Sequence, residues 1–464
     1  MTLSPDLLIA LVVLVPLVGS AFVLVVPPDD RLTLRAVGVF TGLLALVPGL
    51  ALLASPGAAL ELPFFSLRFS GVAVPAALVI LGVTPMALRA GAPRVARGLQ
   101  PYVTAILLAE SGALFVVLVD DVVIATAAAM VAAVPFFALV ALFGGPERGS
   151  VTGRAAALWL LLDAAALGAL VVIEDGQLSA HRGVVIVALL GPGLVRLAAG
   201  PHGLWALPVV EQSPVAAACL MGGMVAPVGA VLLCRSVDLI HAAAGGHDAL
   251  LELSPYLAGV LAVGCAIGAA LVVAERDLRR MVAHLLGALG AVTALVAICG
   301  GAPTEHKEAA LAAAGLAAMT GFAASLCLML VEAIERRLET RRVTELQGLL
   351  QLAPSLGVLL PVSFWCLCGL PGPGIARALW PALGRLMGQG PETGVAAVVC
   401  GASLLMAAVG ASGLLARVGG TPRKGLGQLV RVSLRQGIRL LLPVAALVAA
   451  SLAHGAVLAA AAAS

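Results

Sequence analysis

Apolar residues run for long stretches along most of this chain, without the strict alternation of half-buried strands. Spanning a hydrocarbon core of about 30 Å takes a helix of about 20 such residues. Counted that way, the runs predict helices near 5–26, 36–54, 70–90, 102–119, 121–143, 155–173, 183–200, 213–234, 255–274, 281–299, 309–332, 354–380, 393–416 and 437–461. A membrane barrel would instead show alternating segments of about ten residues. Helices and closed barrels are the only structures that satisfy every backbone group in lipid. The pattern therefore predicts an all-α polytopic membrane protein, a single membrane domain over 1–464 with about fourteen transmembrane helices and no soluble catalytic domain.

Composition agrees. Of 464 residues, 61% are hydrophobic and 11% charged, against about 25% charged in soluble domains. A net charge of +3 gives no argument for nucleic acid as a partner. The eight cysteines lie almost all inside apolar runs and read as small buried hydrophobes. Cys366 and Cys368 form a lone CxC with no second pair or histidine cluster, so no metal site is expected. The N-terminus lacks a basic region and a small-residue cleavage site, and the first run reads as a retained helix.

The loops give the spans a direction. Loops after odd-numbered spans carry 20 Lys and Arg, those after even-numbered spans five (Arg68, Arg182, Arg235, Lys307, Arg385), with Arg196 and Arg377 inside spans. Cytoplasmic loops are the basic ones. Both termini are thus expected on the non-cytoplasmic side of a bacterial inner membrane.

Two spans are interrupted by glycine and proline, the seventh at Gly191-Pro192-Gly193 and the twelfth at Gly369-Leu370-Pro371-Gly372-Pro373-Gly374. Proline removes a donor and clashes with the preceding turn. Irregular backbone at membrane depth survives only inside protein or beside water. The breaks lie five spans apart, so the two helices cross in opposite directions, a pattern of inverted repeats in ion-conducting transporters. The expected organisation is three N-terminal helices over 1–100, a first repeat over 101–236 (spans 4–8), a second over 255–416 (spans 9–13), and a basic segment with a last helix over 417–464.

Five stretches in order resemble the antiporter-like subunits of respiratory complex I and of multisubunit cation/proton antiporters. They are Arg196 to Trp205, with Pro201 and His202; Ser213-Pro214-Val215-Ala216-Ala217; Glu275 to Ala283, with Asp277-Leu278-Arg279-Arg280; Arg341 to Leu349; and Gly369-Leu370-Pro371-Gly372. The length and the last two motifs look most like the chain M type. The resemblance implies a membrane arm that translocates protons through a Glu in span 5, Lys in spans 7 and 8, a polar run in span 10 and a Lys or Glu in span 12. Carried over, these positions fall on Met130, Arg196, Ala226 or Pro227, Leu285 to Leu289, and near Leu379; the family histidine of span 11 falls near Thr320. Nearly every proton-handling group is absent.

Arg196 keeps a charge where the family keeps lysine. Buried lysine can release its proton, whereas a guanidinium effectively cannot. A buried cation needs a partner; Asp163 in span 6 is the first candidate and Glu110 in span 4 the second. Arg196, Asp163, Glu110 and His202 are the candidate ion-path residues. Blander readings stand beside them: Asp163 facing a neighbouring subunit, His202 and Trp205 in an interfacial belt, His284 solvated or backbone-bonded, His454 packing, Glu332 snorkelling to water. Arg377 reads equally as a substitute charge or a lipid contact, and 417–439 as a lateral amphipathic helix or a plain loop.

No iron–sulfur framework or nucleotide loop is present, so no cofactor is expected and any redox step belongs to partners. The reading is an antiporter-like membrane-arm subunit of a complex I-like or hydrogenase-type ion-translocating complex, among homologous subunits and lipid. Its own channel looks degenerate, leaving a structural or coupling role. The alternatives are a translocator rerouted through Asp163, Arg196 and Glu110, and a stand-alone secondary transporter.

Overall fold

The structure is a computed structural model that describes residues 4–55, 57–174, 182–200, 205–300, 306–370 and 375–420. The helices are α1 (Pro5–Val25), α2 (Arg31–Ala51), α3 (Ala73–Gly91), α4 (Leu99–Leu118), α5 (Val122–Phe143), α6 (Arg148–Glu174), α7 (Arg182–Arg196) and α8 (Ala206–Gln212). There follow α9 (Val215–Leu220), α10 (Ala226–Ala242), α11 (Gly246–Ala274), α12 (Leu278–Cys299), α13 (His306–Leu338), α14 (Leu349–Leu352), α15 (Pro354–Leu367), α16 (Ala376–Gly388) and α17 (Pro391–Val418). A π-helical turn, Met221–Val225, joins α9 and α10 into one rod. Among the described residues, eleven helices are long and apolar enough to cross a membrane. The seventh and twelfth expected spans appear as α7 and as α15 with α16. The fourteenth, with His454 and the basic stretch from Arg423 onward, lies outside the described residues.

The helix starts follow from local chemistry. Asp30, Asp121 and Asp277 each accept backbone N–H bonds at the N-terminal ends of α2, α5 and α12. Proline opens α1, α15 and α17, where its missing N–H costs nothing. The all-α architecture carries one short hairpin. Between α2 and α3, β1 (Ala58–Glu61) pairs antiparallel with β2 (Ser66–Phe69). Leu67 and Phe69 are buried while Arg68 is exposed, the period-two pattern of a half-buried strand.

The middle of the bundle is the α9–α10 rod, α12 and α13. The most apolar windows of the first two are wholly buried and that of α13 is 94% buried, against 28% for α6. Outer helices present Phe22, Phe40, Val131 and Val409 at 58–73% exposure, a surface suited to lipid rather than water.

Gly191-Pro192-Gly193 does not break the seventh span. Pro192 lies inside α7, which continues to Arg196. The chain then turns at Ala198, φ 54°, a left-handed conformation rare outside glycine. The Ala199 and Ala198 amides donate to the Leu194 and Val195 carbonyls, both at 3.0 Å, which is the Schellman closure. Gly193 instead serves contact: a Cβ there would sit 2.6 Å from Leu233 Cβ. The end of α15 closes the same way. Gly369, φ 75°, donates to Cys366, and Leu370 donates to Trp365. Pro371 and Gly372 lie outside the described residues.

Candidate functional site

The best-defined polar group inside the membrane region is built where α6, α7 and the α9–α10 rod meet. Arg196, in the last turn of α7, is 2% exposed and Asp163 of α6 is 0% exposed. Arg196 Nη1 donates to Asp163 Oδ1 at 2.6 Å and Nη2 donates to Oδ2 at 2.7 Å. The fork-on-fork geometry matches the planar guanidinium to the carboxylate. Nη1 also donates to the Pro192 carbonyl at 3.1 Å. The guanidinium carbon sits 4.8 Å from the Trp159 ring centre, a cation–π distance. Trp159 and Asp163 are four residues apart on α6, so one helix face supplies both the carboxylate and the aromatic plate. Phe136, Phe137 and Trp205 surround Trp159 at 4.9–6.0 Å between ring centres.

Beside Arg196 lies a cavity with room for about one water. Ala129, Ala132 and Ala133 of α5 and Met224 and Val225 of the π turn line it. π turns often mark functional sites in helices, but these side chains carry no proton. Glu110, the second candidate partner, is 0% exposed and does not reach Arg196; neither of its oxygens finds a hydrogen-bond partner among the described residues. His202 lies outside the described residues.

Apart from Thr320, the remaining carried-over positions are apolar where the fold buries them. Leu285, Leu286, Ala288 and Leu289 are all at most 4% exposed in α12, and Leu379 is 0% exposed in α16. Thr320 is buried, and its hydroxyl has no hydrogen-bond partner among the described residues. Arg377 lies on the exposed side of α16, beyond the break.

Of the two readings of His284, the solvated one is excluded: it is 3% exposed, with Nε2 3.9 Å from Glu275. Another expectation needs correction. Glu332 does not snorkel to water. It is 2% exposed and gathers Arg94 at 2.5 Å, Arg279 at 3.1 Å and Arg336 at 3.1 Å. The arginines come from distant stretches that only helix packing unites. Arg235 was another residue without a sequence signal. It is buried and donates to the Val116 and Val117 carbonyls at 2.9 and 2.7 Å, satisfying the orphan C-terminal end of α4. Beyond it, His241 and His247 approach to 3.1 Å between Nδ1 atoms, with His306 beside Asp238. Among the described residues no three His, Cys, Asp or Glu side chains are grouped to hold a metal.

Residues 150–405 match the family described as NADH:quinone oxidoreductase/Mrp antiporter, TM. The chain belongs to that family. Its fold is shared with a chain of respiratory complex I from Thermus thermophilus with bound NADH, at 20% identity and TM-score 0.79, covering 98% of this chain and 99% of that one. A chain of the membrane-bound sulfane sulfur reductase, an archaeal respiratory membrane complex, matches at 14% identity and TM-score 0.81, covering 98% and 96%. No curated protein sequence matches. As an antiporter family member, the chain is an integral membrane protein built of apolar helices.

Proposed function

We propose that this chain is a membrane-arm subunit of a complex I-like or hydrogenase-type ion-translocating complex, held among homologous antiporter-like subunits. Its own proton channel is degenerate, and its role is mainly structural or coupling. The observation that carries this reading is the Arg196–Asp163 pair. Two short hydrogen bonds join a buried carboxylate to a cation that does not release its proton in proteins, and apart from Thr320 the family's other relay positions are apolar here. The basic face is the cytoplasmic one in this reading. The shared closure at Ala198 and Gly369 supports spans 4–8 and 9–13 as inverted halves.

The test replaces both partners, Arg196→Met with Asp163→Leu, in the intact complex. Protons moved per electron are then read in inverted membrane vesicles with a pH-sensitive dye. The ratio is expected to stay at the wild-type value. A large drop with assembly intact would favour the second reading, a rerouted path through Asp163, Arg196 and Glu110. One observation supports that alternative: Glu110 lies one turn from Ala113, which lines the water-sized cavity beside Arg196. Affinity purification addresses the third reading. A subunit brings redox partners with it, whereas a stand-alone transporter purifies by itself and transports in liposomes.

A further inference from the structure

At the arginine-rich face a cavity of about 500 Å³ opens between the ends of α3, α5 and α8 and the starts of α4 and α6. Arg94, Arg97, Arg148, Arg279 and Arg341 border it, against the carboxylates Glu211 and Glu335, a surplus of three positive charges. The adjoining cavity, about 670 Å³, has five carboxylates against four arginines. The positive surplus is therefore local to the first.

Within this cavity some donors are already engaged and others are not. Arg279 and Arg341 are tied to Glu332, Glu335, Glu211 and Asp277. Arg97 has no ion-pair or hydrogen-bond partner among the described residues, and Arg148 donates only to the Gly144 carbonyl, at 3.2 Å. The Ser213 hydroxyl (2% exposed) lines the cavity, buried without a hydrogen-bond partner among the described residues, and the Tyr102 hydroxyl (0% exposed), with the Ala216 backbone amide beside it, finds no acceptor for its own proton there. An unmade bond to a buried hydroxyl costs about 1–3 kcal/mol. Hydroxyl donors beside unengaged guanidinium groups form the donor set of an oxyanion site.

We propose that this cavity binds a phosphate group, and that the phosphate belongs to an anionic phospholipid headgroup. The volume is in the range that takes organic ligands and far exceeds a bare oxyanion. The wall also continues into an apolar track. Leu142, at the cavity, is 61% exposed, and Val134 and Val131 further along α5 are 65% and 72% exposed. Acyl chains laid along α5 would place the headgroup among Arg97, Arg148 and the two hydroxyls.

The test uses the full chain, purified in detergent and stripped of lipid. Dioleoylphosphatidylglycerol retention is read by native mass spectrometry, and inorganic phosphate binding by titration calorimetry. The lipid is expected to bind saturably. Arg97→Gln with Arg148→Gln, which breaks no ion pair among the described residues, should weaken it about ten-fold or more. Tyr102→Phe should weaken it less, and Arg68→Gln on the opposite face should leave it unchanged. Size-exclusion profiles confirm that each variant is folded. Phosphate binding without lipid binding would overturn the lipid assignment. Wild-type lipid affinity in the double variant would overturn the site.

Discussion

Arg196 and Asp163 join α7 to α6 through two parallel hydrogen bonds of 2.6 and 2.7 Å, with neither side chain in contact with solvent. Removing one partner leaves a buried charge unpaired. Removing both leaves an apolar contact. Asp163→Leu alone and Arg196→Met alone should each destabilise by about 3–5 kcal/mol, and the double variant by much less than their sum. Denaturant unfolding in mixed micelles measures this cycle; additivity would mean that the two groups do not act as a pair.

Gly290 of α12 faces the end of α7. A Cβ there would lie 1.8 Å from the Leu197 carbonyl oxygen, which is backbone and cannot step aside. Gly290→Ala should therefore cost about 1–3 kcal/mol through overpacking. Gly168→Ala on α6, where an added Cβ meets nothing within 4 Å, should be neutral or slightly stabilising. Thermal denaturation in detergent distinguishes the two.

Glu332 is the shared carboxylate of the basic face. Glu332→Gln leaves Arg94, Arg279 and Arg336 crowded around a neutral amide and should cost about 3 kcal/mol or more. Arg94→Gln should cost about 1 kcal/mol or less, because that side chain is 39% exposed and water already screens it. Unfolding midpoints compared in one detergent check the order; equal losses would contradict the shared-carboxylate arrangement.

Topology can be read with a membrane-impermeant maleimide on intact cells. Glu61→Cys, in the hairpin between α2 and α3, should label from outside. Ser150→Cys, at the start of α6, should label only after permeabilisation. Seven of the eight native cysteines are buried and Cys366 is half-buried, which keeps the background low. The reverse pattern would invert the orientation proposed for the whole chain.

Hydropathy located the eleven described helices that are long and apolar enough to cross a membrane, because length and apolarity are properties of one continuous segment. The apolar side chains of Met130, Leu285 and Leu379 were equally legible, since they can be read without knowing their neighbours. Proline placement was a poorer guide. Pro192 can kink a helix without ending it, and α7 ends instead where Ala198 adopts a left-handed turn against Gly290. The hairpin at Ala58–Phe69 leaves no legible signal, because two four-residue strands are too short for a periodicity to stand out.

The sequence by itself determined that this protein is a bundle of membrane helices, which of its loops are basic, and that an arginine, Arg196, stands inside an apolar span. Tertiary structure decided which acid meets Arg196 across 33 residues of chain, why Glu110 does not, that Trp159 plates the guanidinium, and which arginines converge on Glu332 or border an open cavity. The reason is that spanning depends on transfer of one segment from water to lipid. Side-chain partnership depends on the rotation and depth of each helix against its neighbours, which no single segment encodes.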